Sequence, residues 1–190
     1  MKMISRRSLL LAGAAVAALA ATPALAQEDA APVDLAELLK PPALGDMALG
    51  AAEGAKVTIV EYASATCPHC AAFHKDVWPK LKADYVDNKK IRFVFREFPL
   101  NDPALAAFMI ARALPKESYF PVIGIYFDTL QEWTKDNWVE GLFNIAKQAG
   151  MTREKFDATL KDEQLARAIL AIREDGAKFG VQGTPSFRSE

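Results

Sequence analysis

Cys67, Pro68, His69 and Cys70 form the stretch of this chain best suited to chemistry, and the two cysteines are its only ones. Two thiols three positions apart can pass between a dithiol and a disulfide, and the thiolate is the form that attacks. A helix start favours that anion through the positive end of the helix dipole and the unpaired N–H groups of the first turn. Both effects act mainly on the first cysteine, Cys67. Before the pair stands an apolar, β-branched run, Val57-Thr58-Ile59-Val60, then Glu61 and Tyr62. After it, Phe73, Val77 and Leu81 recur four apart, a helical spacing. The dithiol is therefore expected at a strand-to-helix junction.

A structural disulfide is the plainer reading of two cysteines. Closing so short a loop stabilises by only about 2 kcal/mol, and a chain of 190 residues, 51% hydrophobic, can bury a core without such a staple. Redox chemistry is the better expectation. A zinc site built from Cys67, Cys70, His69 and His74 needs four convergent ligands, and His69, between the cysteines, is badly placed to join them. No metal and no other cofactor is expected, and His74 reads as a solvated helix residue.

The first residues have the pattern of an export signal. Lys2, Arg6 and Arg7 precede an apolar run from Leu9 to Ala21, and Ala24-Leu25-Ala26 offers a small-x-small cleavage site. Residues 1–26 are expected to be removed, so that the mature chain begins at Gln27. The apolar run is shorter than the roughly 20 residues a spanning helix needs. Ser5-Arg6-Arg7-Ser8-Leu9-Leu10 also fits a twin-arginine signal, which leaves the export route open. Taking those three basic residues from 23 leaves 20 against 24 acids, a formal charge of −4, with nothing to attract nucleic acid. Disulfides persist in the oxidising compartments beyond the cytoplasm.

Between Gln27 and Gly50 the chain is rich in Ala, Pro and acids, and reads as an extended lead-in with one short helix near Asp34–Leu39. A linker over 27–45 would then enter a domain over 46–190. The strand Val57–Tyr62 is apolar on both faces, as in a central parallel strand, with Glu61 the odd residue. A helix from Cys67 to about Val86 should kink at Pro79. Ile91–Phe98 is a second strand, which makes a right-handed βαβ unit with the dithiol at the carboxyl end of its first strand. Asp102-Pro103 reads as a capping acid with proline at the first helical position. Helices are expected over 103–114, 118–131, 137–149, 153–160 and 163–179, and Val181–Phe187 as a tight turn entering a strand. Tyr119, Phe120, Tyr126, Phe127, Trp133 and Trp138 are core residues by their helical spacing.

A signal pattern, a strand ending in Val60-Glu61-Tyr62, then Cys67-Pro68-His69-Cys70, a kinked helix, a strand, a block of helices and Gly183-Thr184-Pro185 together resemble the DsbA-like thiol:disulfide oxidoreductases of bacterial cell envelopes. The resemblance covers about residues 45–187. It implies an α/β, thioredoxin-like fold with an inserted helical domain at about 103–162, and with the family's final strand pair and last helix missing after Phe187. It also implies that Cys67 is the exposed nucleophile and Cys70 its buried partner, with His69 steadying the Cys67 thiolate. Glu61 would be a buried acid that exchanges a proton with Cys70. Pro185 would be a cis-proline whose loop, with Thr184, binds extended substrate.

The activity implied is a dithiol oxidase that passes its Cys67–Cys70 disulfide to reduced or unfolded exported proteins in the periplasm. A quinone-linked, DsbB-like membrane partner would reoxidise it, and a monomer is expected. Thr184 stands where the strong oxidases of the family carry valine, which leaves an isomerase or reductase as the alternative. The stretch Gln27–Lys56 is too short for the dimerisation domain isomerases usually carry. A truncated binding protein without turnover is a third reading, resting on the short end.

Overall fold

The computed structural model describes residues 34–52 and 54–189. The expected export signal lies outside the described residues. At the centre is a four-stranded mixed sheet in the order β1-β3-β2-β4. Strand β2 (Thr58–Ala63) pairs parallel with β3 (Arg92–Glu97), and antiparallel with β4 (Ser186–Ser189) on its other side. Strand β1 (Met47–Gly50) pairs antiparallel with β3, in register Met47 to Phe95. β1 falls in the stretch read as an extended lead-in. Met-Ala-Leu-Gly carries no β-branched residue, so its strand character comes from its partner and not from local propensity.

Both faces of β2 are covered, which explains its apolar composition. Val60 and Tyr62 face a small cluster with Leu38, Val94, Phe98 and Val181. Ile59 and Ala63 face a larger one that holds Phe93, Phe95 and the helices. Phe95 is fully buried there, worth about 1.5–3 kcal/mol. On the small side lies the expected short helix α1 (Leu35–Leu39), capped by Asp34 and seating Leu38. The buried Arg96 guanidinium fastens it, donating to the carbonyls of Leu38 (2.7 Å) and Lys40 (3.1 Å) and to the Asp46 carboxylate.

Helix α2 (Pro68–Asp76) follows β2 directly and ends at Val77. Pro79 causes the break: it has no N–H for the Lys75 carbonyl, and its ring crowds that oxygen. The chain resumes as α3 (Trp78–Leu81) and a π-helical turn over Lys82–Val86. Helix α4 (Asp102–Ala113) is capped by Asn101, not Asp102; the Asn101 side chain accepts from the Ala104 N–H at 3.0 Å, leaving Asp102 and Pro103 inside the first turn.

The helix expected over 118–131 is divided into α5 (Tyr119–Asp128) and α6 (Leu130–Trp133). Thr129 divides it, turning its hydroxyl back onto the Ile125 carbonyl at 2.7 Å. Helices α7 (Trp138–Gln148), α8 (Arg153–Leu160) and α9 (Glu163–Lys178) complete the layer, capped by Asn137, Thr152 and Asp162. Tyr119, Tyr126, Phe127 and Trp133 are core residues, as expected, with Phe120 and Trp138 packed at the edge. In α9, Gly176 lies so close to the sheet that a Cβ there would stand 2.8 Å from the Tyr62 ring.

Candidate active site

The dithiol sits where β2 gives way to α2. Cys67 is the N-cap of α2, extended at φ −87° and ψ 117°, and its Sγ accepts the Cys70 N–H at 3.3 Å. Pro68 occupies the first turn, where its missing N–H costs nothing. The Cys67 sulfur thus takes one of the orphan first-turn N–H groups and stands at the positive end of the α2 dipole. Both cysteines are free thiols.

From the other side comes the turn before β4. The Thr184–Pro185 peptide bond is cis, and the Cys67 thiol donates to the Thr184 carbonyl at 3.2 Å. Cys67 is only 4% exposed as a result, whereas an exposed sulfur was expected. The same turn brings the Thr184 hydroxyl toward Cys70. Burial pushes the Cys70 thiol up, and its neighbour Cys67 adds to that; the Ser64 backbone and the Thr184 hydroxyl pull the other way. Thr184 Oγ1 is itself buried and makes no hydrogen bond of good geometry.

Glu61 is fully buried, as the resemblance implied. Desolvation pushes its carboxyl above the ordinary 4.5, opposed by a hydrogen bond and charge from His74. His74 Nε2 lies 3.0 Å and 3.3 Å from the two Glu61 oxygens. The solvated reading of His74 is therefore wrong: its side chain is 6% exposed, and its ring stacks on Phe127 at 4.4 Å. No direct hydrogen bond joins Glu61 to Cys70 among the described residues. His69 is exposed, and no hydrogen bond links its ring to Cys67 among the described residues. Among the described residues no His, Cys, Asp and Glu group is arranged to hold a metal ion.

Two supports escaped the sequence. His74 has a helical signal, four residues after Cys70, but nothing in its spacing named an acid on β2 as its partner. Ser64 and Asn101 tie the loop before Cys67 to α4: Thr66 Oγ1 donates to Asn101 Oδ1 at 3.2 Å, and the Leu100 N–H reaches Ser64 Oγ at 3.4 Å. Beside the dithiol, Pro68, Ala71, Phe127 and Leu130 line a cleft of about 190 Å³.

A two-cysteine helix start facing a cis-proline turn across a mixed sheet defines the class of thioredoxin-fold dithiol proteins. The thioredoxin family model matches residues 43–189. The crystal structure of Wolbachia pipientis alpha-DsbA1 superposes with a TM-score of 0.73 at 30% identity, covering 81% of this chain and 79% of that one. A Rickettsia bellii protein provisionally named protein-disulfide oxidoreductase is 35% identical over 147 residues, which is 75% of this chain and 56% of the relative. Disulfide bond formation protein D of Bacillus subtilis is 27% identical over 145 residues, 71% of this chain and 64% of that protein. The chain belongs to the thioredoxin family, and within it to the DsbA-like proteins. It spans little more than half the length of the Rickettsia relative.

Proposed function

We propose that the chain is a dithiol oxidase for exported proteins, working through a Cys67–Cys70 disulfide. A substrate thiolate attacks Cys67 Sγ, the Cys67–Cys70 bond breaks, and its electron pair stays on Cys70, which takes up a proton. A second substrate thiolate then attacks the substrate sulfur of the mixed disulfide. Cys67 leaves as a thiolate, and the substrate has lost two electrons to the enzyme. The placement of Cys67 Sγ at the N-terminus of α2 carries this reading, because a stable leaving thiolate makes the disulfide a ready donor.

The Thr184 carbonyl and the backbone around Pro185 are suited to holding an extended substrate strand by main-chain bonds, which tolerates many sequences. The membrane reoxidant is a quinone-linked, DsbB-like protein, and the compartment is the periplasm, reached through the signal pattern of residues 1–26. His69 stands in the exposed first turn two residues after Cys67, and on this reading it steadies that sulfur. The protein acts as a monomer.

Equilibration with glutathione tests the direction. A potential toward about −120 mV, where DsbA itself lies, supports the oxidase; one near about −270 mV, that of thioredoxin, sinks it. The reductase or isomerase reading keeps one specific support, the Thr184 hydroxyl beside Cys70, and that lower potential is the result it requires.

A further inference from the structure

The pairing of His74 with Glu61 lies outside the sulfur exchange at Cys67. Both side chains are all but sealed from water, at 6% and 0% exposure. His74 Nε2 lies within reach of both carboxylate oxygens. The imidazole is held on its other sides by rings: Phe127 of α5, Trp78 of α3, Phe95 of β3 and Phe73 of α2. A surface ion pair has no need of such a cage. A carboxyl buried without a partner costs several kcal/mol as an anion and so stays protonated. With an imidazole against both oxygens, it can give its proton up and take it back.

We propose that His74 is a positioning residue for thiol–disulfide exchange: it shares one proton with Glu61, and so sets when that carboxyl can give a proton to Cys70 or take one from it. This deepens the dithiol–disulfide reading and rests on it. His74 lies one turn beyond Cys70 on α2, so both residues share the helix face turned to β2. When the Cys67–Cys70 bond breaks, the electron pair left on the Cys70 sulfur takes the proton that Glu61 and His74 hold. When the bond re-forms, Cys70 returns that proton as its sulfur attacks. No direct hydrogen bond joins Glu61 to Cys70 among the described residues, and a general acid can act through a water as well as directly.

Few other groups can perturb this pair. From β2 comes Glu61, and one turn before His74 on α2 stands Cys70, with Lys75 and Asp76 following it on the exposed end of the helix. From α5 comes Tyr119, whose hydroxyl feels the Glu61 charge. Tyr119 is itself bound to Glu97 of β3, which pairs with Arg112 of α4. α3 presents the uncharged Trp78.

The test is the pH dependence of two readouts in wild type, His74→Gln, His74→Phe, Glu61→Gln and the double variant His74→Gln/Glu61→Gln. The first is the single-turnover rate at which the disulfide form oxidises a dithiol peptide, from pH 5 to 8.5. The second is the glutathione-equilibrium potential over the same range. His74→Gln keeps a hydrogen-bond donor to Glu61 and only loses the titrating ring, so it remains informative should the phenylalanine variant misfold.

Each single variant should slow the oxidation step about tenfold or more and give the same altered pH profile, with the double variant no slower than either single one. A His74→Gln profile that matches wild type overturns the proposal, and so do single-variant losses that multiply in the double variant. The two readings fail separately: a wild-type potential near thioredoxin's removes the oxidase, while the change in slope of potential against pH in His74→Gln still reads the shared proton.

Discussion

Arg96 Nε donates to Asp46 Oδ1 at 3.0 Å with both side chains 5% exposed, and the same guanidinium spans the carbonyls of Leu38 and Lys40. One cation on a sheet strand thus closes the C-terminal end of α1 and anchors the approach to β1. Arg96→Ala should destabilise the protein by about 3–5 kcal/mol, since it strands a buried carboxylate and two carbonyls. Urea unfolding would measure the loss. Hydrogen exchange should show residues 35–40 losing protection first.

Cys70→Ser should trap substrate on Cys67 as a mixed disulfide, because the resolving thiol is gone, whereas Cys67→Ser should trap none. Mass spectrometry reads both after incubation with a disulfide-bonded peptide, whose S–S bond the remaining thiolate attacks while a peptide thiolate leaves. A trapped peptide on Cys70 in the second variant would mean that the buried sulfur is the one attacked, against its 0% exposure.

Glu61 gives a signed pH prediction. Its carboxyl is pushed above 4.5 by burial, with His74 opposing, so the folded state binds its proton more tightly than the unfolded state does. The stability it contributes is full below pH 4.5 and is lost as pH rises through the folded value. Glu61→Gln removes that loss. The variant's stability relative to wild type should therefore grow as pH rises from about 4.5 toward neutrality, measured by denaturant melts of the reduced proteins at fixed salt.

Two glycines in helices should answer alanine oppositely. At Gly176 a Cβ would stand 2.8 Å from the Tyr62 ring and 3.3 Å from Phe98, and Tyr62 is fixed by its bond from Arg96. Gly176→Ala should cost about 1–3 kcal/mol from overpacking, more than the roughly 1 kcal/mol of helix propensity gained. Gly124 in α5 has nothing within 4 Å of such a carbon, and Gly124→Ala should stabilise by about 0.5–1 kcal/mol. Thermal melts of the pair would show shifts of opposite sign.

Thr184→Val replaces a buried hydroxyl that lacks a good partner with a methyl of similar size. The reduced protein should gain about 1 kcal/mol, and equilibrium unfolding checks it. A loss instead would mean that the hydroxyl's contact with Cys70 is worth more than its burial costs.

What the sequence made legible was local. The run Val57–Val60, the helix start at Cys67 and the helices expected over 137–149, 153–160 and 163–179 declare themselves through neighbours one to four residues away, where periodicity acts. β1 did not, because Met47–Gly50 becomes a strand only by pairing with Phe95, some 48 positions on. Asn101 was passed over for Asp102, since both are good caps and only the backbone turn decides between them. His74 was misread for the same kind of reason: a histidine on a helix looks solvated until the strand beneath it is known to carry Glu61. The resemblance implied a buried Cys70 and a cis bond at Pro185, and the structure has both; it also implied an exposed Cys67, which the Thr184 turn covers.

The contact between Cys67 and the Thr184 carbonyl crosses 117 residues, and β4 reaches the sheet only by pairing with β2. Loop-closure entropy makes such distant pairings late events in folding. As the chain is made, its reactive sulfur therefore exists long before the turn that covers it, and the half-built protein carries an uncovered thiol. Until β4 docks, the nascent chain is itself a protein with bare cysteines, the kind of molecule on which the proposed activity would act.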